Sequence, residues 1–410
     1  MNEIKLFENK DMCCGCGACV NVCPQKAIKM ITDEYGFQYP QINTKKCVKC
    51  GLCKRMCSYQ NKNQDVNVPL EAYAAFCECE ELIMNSASGG VFADIAKGFI
   101  ENNGIVYGCT MDESFGKLSI YHKRIDKDEK LIELQGSKYV QSNMNNVYAR
   151  VREDLKNNRI VLFSGTPCQV AAIKKYVENI EEKKNLFTID IICHGVPSEK
   201  FFQDYIEILE KKIKGKIIEI KFRDKTEGWG LKGKIKYISK KNNRVSEKII
   251  FSHLSSYYKL FLNSTIYREN CYSCKYAGKE RSGDITLGDY WGIERQHPEY
   301  MKSNGGVIES EKGISCILVN SEKGKKLLDK YSVKLIKKVS SFEKVAEYNA
   351  QLRSPSIMNP NRKDIMELYK KGGYSEVEKY FQKSIGRKRV LYYFWNKLPR
   401  KVQLKLKKKG

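Results

Sequence analysis

Nowhere in the 410 residues does an uninterrupted apolar stretch approach the roughly 18 residues that a membrane-spanning helix needs. Residues 1–10 alternate apolar with charged side chains and do not read as a secretory leader. A second cysteine framework is also missing. Nine of the seventeen cysteines crowd before residue 58 in triplet spacing, which serves metal rather than disulfide staples. Cys14, Cys77, Cys79, Cys109 and Cys316 are left over and read as reduced, partly buried thiols. A reducing, cytoplasmic setting is therefore expected. The chain has no basic stripe either: ten of its 25 excess positive charges fall between Arg387 and Lys409, a stretch without an acid, and the rest are dispersed. Thiolate-held clusters are anionic and would offset part of that charge, so no nucleic-acid partner is expected.

What is present begins with a duplication. The spacing C-x2-C-x2-C-x3-C occurs at Cys13, Cys16, Cys19, Cys23 and again, 34 residues on, at Cys47, Cys50, Cys53, Cys57. A 4Fe-4S cube takes three thiolates from one tight loop and a fourth from farther away, and in two-cluster ferredoxins each fourth cysteine serves the other cluster. The expected sets are Cys13, Cys16, Cys19 with Cys57, and Cys47, Cys50, Cys53 with Cys23. Pro24 follows the first run and Ser58 stands in its place after the second, which alters a turn and removes no ligand. Structural zinc is the rival, but it favours paired C-x2-C knuckles over two matched quartets. Cys14, beside a ligand, could replace Cys13 only by disturbing the spacing.

A polar linker, 61–68, closes this unit at Pro69. Residues 72–76 then read as a strand, 88–100 as an amphipathic helix and 104–109 as a strand. Residues 159–163, 167–177 and 186–192 form a strand, helix and strand, implying a parallel pair. Alternation at 217–222, 231–239 and 245–251 predicts a half-exposed antiparallel sheet, with helices near 254–262, 322–331 and 342–352. The fold class expected is a multidomain α+β and α/β chain: a ferredoxin-like two-cluster domain at 1–62, a mixed α/β unit in two parts at 63–155 and 156–384 with an antiparallel insertion, and a basic amphipathic tail at 385–410.

Two turns resemble anion cradles. The apolar run Ile160–Phe163 leads into Ser164-Gly165-Thr166-Pro167, with proline at a helix start, and Asn85-Ser86-Ala87-Ser88-Gly89-Gly90 precedes another helix. Free N–H groups at such starts attract phosphate or a flavin carbonyl, although an ordinary helix cap has the same residues. Cys168 sits in the first helical turn and Cys193 follows the next parallel strand at the same sheet end, while Cys271 and Cys274 form a C-x2-C pair. These four are expected to converge on a third cubane, against buried thiols plus a zinc-like knuckle. Gly228–Gly233 matches G-x-G-x-x-G but is followed by an alternating strand, so it is no dinucleotide fingerprint. His194, Lys275 and Asp289, all near the proposed third site, are the candidate proton-handling residues.

Six motifs occur together and in order: Ser86-Ala-Ser-Gly-Gly90, Gly136-Ser-Lys-Tyr-Val140, Gly165-Thr-Pro-Cys-Gln169, Cys193-His-Gly195, Lys221-Phe-Arg-Asp-Lys225, and Cys271-Tyr-Ser-Cys-Lys275 through Leu287-Gly-Asp-Tyr-Trp-Gly292. In this the chain resembles the family of coenzyme F-420 hydrogenase/dehydrogenase beta subunits from about Tyr73 to about Leu352, behind a ferredoxin-like domain. The resemblance implies FAD beside a 4Fe-4S cluster, with Ser86, Ser88, Gly89, Gly90, Gly136, Ser137, Lys138, Tyr139, Ser164, Gly165 and Thr166 lining the flavin site. It does not identify the substrate, because bacterial members of this form resemble proteins encoded beside surface-polysaccharide enzymes.

The expected function is an iron-sulfur flavoprotein oxidoreductase between a ferredoxin-like donor and an unknown organic acceptor, in either direction. Its rival is a non-catalytic electron-transfer subunit of a hydrogenase or dehydrogenase. The tail mixes Val390, Leu391, Tyr392, Tyr393, Phe394 and Trp395 with cations, which suits a peripheral contact with an anionic membrane surface.

Overall fold

The computed structural model describes residues 5–61, 66–114 and 116–398. Near the N-terminus, β1 (Ile28–Thr32) and β2 (Gln38–Ile42) form an antiparallel pair. Short helical turns at Ala18–Asn21 and Leu52–Arg55 carry the middle of each cysteine run. Both turns follow a left-handed glycine, Gly17 at φ 78° and Gly51 at φ 73°, so the duplication extends to backbone conformations that a side chain would strain.

The remaining strands are β3 (Glu71–Cys77), β4 (Ile105–Ser114), β5 (Lys117–Ile125), β6 (Val161–Gly165), β7 (Leu186–Ile191), β8 (Gly215–Lys221), β9 (Lys232–Ser239), β10 (Val245–Phe251), β11 (Ile285–Asp289), β12 (Ser315–Val319) and β13 (Leu335–Ser340). Eight of them make one mixed sheet in the order β13-β3-β12-β11-β7-β6-β4-β5. The inner run β4, β6, β7 and β11 is parallel, and its outer neighbours pair antiparallel.

The apolar run at 160–163 follows from burial on both faces. Val106, Leu162 and Ile189 pack with helices Val91–Glu101 and Glu322–Tyr331, whereas Ile105, Tyr107, Val161 and Phe163 pack with helices Val147–Lys156 and Pro167–Tyr176. A strand covered on both sides has no polar face and loses its alternation.

The expected β-α-β unit is present, and β6 and β7 are parallel. The expected antiparallel insertion is β10-β9-β8, and Gly228–Gly233 runs directly into β9 rather than a helix. Helices Glu199–Ile213, Ser256–Leu262 and Arg362–Ile385 cover it with an aromatic-rich core that includes Phe201, Phe202, Tyr205, Tyr257 and Tyr369. The last of these helices breaks at Gly372 and Gly373, the latter at φ 67°. The tail contains helix Lys388–Lys397, with Val390, Leu391 and Phe394 exposed; its residues 399–410 lie outside the described residues. No helix among the described residues is long and apolar enough to cross a membrane.

Candidate redox site

The N-terminal cysteines fall into two neighbourhoods that adjoin at Cys19 and Cys53. Cys13 has Cys16 and Cys57 as neighbours, and Cys19 has Cys16, Cys13 and Cys57 together with Cys53 of the other set. Burial pushes the Cys19 thiol well above its ordinary range, and the neighbouring sulfurs add to that. Cys23, Cys47, Cys50 and Cys53 line a separate small cleft in which Cys50 is exposed. The first set is thus the inner one.

Arg268 holds the inner set and had no sequence signature. It is wholly buried, donates from Nε to the Cys13 carbonyl at 2.8 Å and from Nη2 to the Gln38 carbonyl at 2.9 Å, and stacks over Tyr39. Its Nη1 reaches Gln141 Oε1 at 3.3 Å. A fixed cation therefore stands beside sulfurs that chemistry would make anionic.

A cavity of about 340 Å³ opens where the parallel strands end. The C-terminal ends of adjacent parallel strands emerge at one sheet edge, where α/β folds place ligands. From β6 come Ser164, Gly165, Thr166 and Cys168, and from β7 come Cys193 and His194. β11 contributes Asp289, and the 3-10 turn Glu269–Ser273 brings Cys271 and, just past it, Cys274. Ser86, Ser88, Gly90, Gly136, Ser137, Lys138 and Tyr139 complete the wall.

The four scattered cysteines converge here. Cys193 has Cys271, Cys168 and Cys274 as neighbours, and burial, more than these, pushes its thiol well above the ordinary range. The Cys168 thiol is lowered instead, first by a hydrogen bond from Cys14 and next by Thr166, against burial. Among the described residues no three His, Cys, Asp or Glu side chains draw together tightly enough for a single metal ion. A cubane offers its irons at four corners and accepts wider-set thiolates.

Two expected residues do not face the cavity. Gly89 lies behind the wall: its N–H donates to Ser315 Oγ at 2.9 Å, and a Cβ on it would stand 2.4 Å from the Ala75 carbonyl oxygen. Packing against β3 and β12 demands that glycine. Lys275 turns toward the N-terminal unit, where its Nζ donates to the Tyr59 carbonyl at 2.9 Å. That corrects the expectation of proton handling by Lys275, since its ammonium anchors a domain contact.

Several cavity groups already have partners. Ser86 Oγ donates to the Leu82 carbonyl and Ser88 Oγ to the Ile314 carbonyl, so these loops present backbone rather than hydroxyls. Thr166 and Gln169 form a capping box over the helix that begins at Pro167. Lys138, expected in the wall and found there, donates to the Gln135 and Glu133 carbonyls, and burial pulls it down to about 8. Asp289 is gripped by Arg223, Nη1 to Oδ2 at 2.8 Å, and Arg223 also lies over Trp291, which stacks on Trp229 at 4.6 Å. Its carboxylate is a partner to a guanidinium rather than a free acid. Burial lowers the His194 pKa, opposed by Asp289.

Two further buried titratable groups adjoin the cavity: Lys225, the last residue of the Lys221–Lys225 motif, and His122, which has no sequence signature. Lys225 is pulled to about 7, first by burial and then by Arg223, and it donates to the Ile83 and Ser88 carbonyls. His122 stacks on Phe163, and its Nε2 stands 3.0 Å from the Ser164 carbonyl.

Two cysteine sets in the N-terminal unit and four more cysteines around a sheet-end cavity define an iron-sulfur protein of oxidoreductase type. Residues 158–344 match the model for the C terminus of the coenzyme F420 hydrogenase/dehydrogenase beta subunit, and residues 12–61 match a 4Fe-4S dicluster domain. The chain thus carries a region similar to the C terminus of coenzyme F420 hydrogenase/dehydrogenase beta subunits, with a 4Fe-4S dicluster domain ahead of it.

It is 26% identical to a subunit of the F(420)H(2) dehydrogenase of Methanosarcina mazei over 226 residues, covering 52% of this chain and 60% of that protein. It is 45% identical over 56 residues to an uncharacterized polyferredoxin-like protein of Methanocaldococcus jannaschii, covering 12% and 33% respectively. In both cases the chain spans less than two thirds of the relative. A chain from the F420-reducing nickel-iron hydrogenase complex of Methanosarcina barkeri overlays at a TM-score of 0.42 with 14% identity, across 78% of this chain and 92% of that one. An overlay at that level adds nothing to the assignment.

Proposed function

We propose that this chain carries electrons between a ferredoxin-like donor and an organic acceptor through two N-terminal 4Fe-4S clusters, a third cluster at Cys168, Cys193, Cys271 and Cys274, and FAD in the adjoining cavity. The observation that carries this reading is that one cavity is lined by all four scattered cysteines together with Ser86–Ser88, Gly90, Gly136–Tyr139 and Ser164–Thr166. The donors that the cavity offers a flavin and its phosphates are the Cys168 N–H, at the start of the helix Pro167–Tyr176, and the Lys138 ammonium. When bound, a flavin joins one-electron clusters to two-electron chemistry.

The chain's own residues would do the rest. Ser164, Gly165 and Thr166 would line the cofactor with backbone, the Thr166 N–H being held by Gln169 Oε1 at 3.0 Å. The Arg223–Asp289 pair and the stacked Trp229 and Trp291 would form a planar, charged wall for the acceptor. His194, which lines the cavity, is the group placed to exchange a proton with the acceptor, whereas Asp289 orients Arg223. The curated relative named as part of a dehydrogenase favours a second reading, in which the chain only relays electrons inside a larger complex. A cytoplasmic location with the basic tail against anionic lipid belongs to the same proposal.

Anaerobic purification followed by cofactor analysis tests it. About twelve irons and one flavin are expected for three cubanes, and Cys271→Ser should retain about eight irons. An unsubstituted chain with about eight irons, or none of it flavin-loaded, overturns the third cluster or the flavoprotein reading respectively. Turnover with artificial donors in isolation separates an enzyme from a relay component.

A further inference from the structure

Cys14 is the cysteine that the repeated spacing leaves over in the first run, and it lies where two cysteine sets meet. It is 4% exposed and packs with Tyr59 and Tyr276 in a small core that also touches Cys16, Cys57, Cys168 and Cys274. Two of these belong to the inner N-terminal set and two to the cavity set. Cys14 itself lines the cavity, in one packed cluster with Cys16 of the inner set and Cys168 of the cavity set. What places Cys14 between the two sets is this packing, and its carbonyl is fixed by Gln141 Nε2 at 3.0 Å.

The surrounding contacts hold this junction in register. Tyr59, two residues after Cys57, donates its hydroxyl to the carbonyls of Asn270 and Ser273, each at 3.3 Å, in the turn that carries Cys271. Lys275 returns the contact at the Tyr59 carbonyl, and the Tyr276 ring lies 5.9 Å from the Tyr59 ring. Arg281 Nη1 holds the Tyr276 carbonyl at 3.1 Å. The N-terminal unit is thus pinned to the turn that bears half of the cavity cysteines.

We propose that Cys14 is a positioning residue for electron transfer: a thiol that ligates neither cluster but joins a ligand of the inner cluster to a ligand of the third, donating its S–H to one of the two sulfurs. This rests on the third cluster proposed above. A thiol has one proton and serves one acceptor at a time. A donor on a ligand sulfur stabilises the more negative, reduced cluster and raises its potential. It also fills with sulfur the space between the two sets that solvent or a void would otherwise occupy. Cys14 undergoes no net change: as one electron crosses, one cubane is oxidised by one and the other reduced by one.

The test uses the full chain, purified without oxygen, as Cys14→Ala and Cys14→Ser, with iron analysis and a redox titration followed by electron paramagnetic resonance. About twelve irons are expected in both variants. In Cys14→Ala the reduced-to-oxidised ratio of at least one flanking cluster should fall about tenfold at fixed poise, which is about 59 mV for a one-electron couple. Cys14→Ser keeps a donor and should stay within about threefold of the unsubstituted protein. Unmoved potentials in Cys14→Ala overturn the proposal, and so does loss of about four irons in either variant, which would make Cys14 a ligand. If the unsubstituted chain holds about eight irons, the third cluster itself fails; about twelve irons with unmoved potentials sinks the role of Cys14 alone.

Discussion

Arg268 donates from Nε to the carbonyl oxygen of Cys13 at 2.8 Å, joining the segment that leads into Cys271 to the first ligand of the N-terminal run. The two residues are 255 positions apart in sequence. With the guanidinium 4.0 Å from the Tyr39 ring centre and no solvent around it, this cation acts at short range and low screening on whatever the inner cysteines hold.

Arg268→Gln removes that charge while keeping a donor. The inner cluster is then expected to become harder to reduce, because the cation favours its more negative state. Loss of the charge-assisted bonds to Cys13 and Gln38 should also cost about 3 kcal/mol in unfolding. A redox titration showing the same midpoint as the unsubstituted chain would contradict the first expectation, and an unaltered denaturation curve the second.

Acid should weaken the cavity floor through His122. Burial holds its imidazole down to about 4, whereas an unfolded histidine titrates near 6.5. Between those values the unfolded chain binds the proton and the folded one does not, so this contribution is complete above about pH 6.5 and drains as pH falls toward 4. From pH 7.5 to 5.5 the loss is about 1.3 kcal/mol. Comparing denaturation of the unsubstituted chain and His122→Gln at the two pH values checks it; equal pH dependence would show that His122 is not the source.

Asp190→Asn should destabilise the chain by about 3–5 kcal/mol, the usual consequence of leaving a buried ion unpaired. Arg281 Nη2 meets Asp190 Oδ1 at 3.0 Å with both side chains inaccessible, and Asp190 Oδ2 accepts the N–H groups of Ser282 and Gly283. Arg281 also braces Tyr276, so iron content should fall with stability. Urea unfolding together with iron analysis reads both, and a variant as stable as its parent would remove Asp190 from this role.

The N-terminal sets were legible because their ligands are local: matched spacing, repeated glycines and equal offsets survive in one dimension. The unit β6, helix and β7 was legible for the same reason, its apolar runs being bounded by Gly and Pro turns. β11, β12 and β13 were not. Each is five or six residues long, and fully buried Ser315–Val319 carries no alternation by which a strand could be recognised.

Sequence alone determined the cysteine duplication, the parallel pair, the antiparallel insertion and the family motifs, since periodicity and spacing are properties of neighbouring residues. Only the tertiary structure decided that Gly89 packs behind the cavity wall, that Lys275 faces Tyr59, and that Arg268, Lys225 and His122 are buried. It alone placed Cys14 between two sulfur sets. Burial and side-chain direction depend on segments hundreds of residues apart, and a charged residue buried by a distant partner has the same local sequence as one left in water.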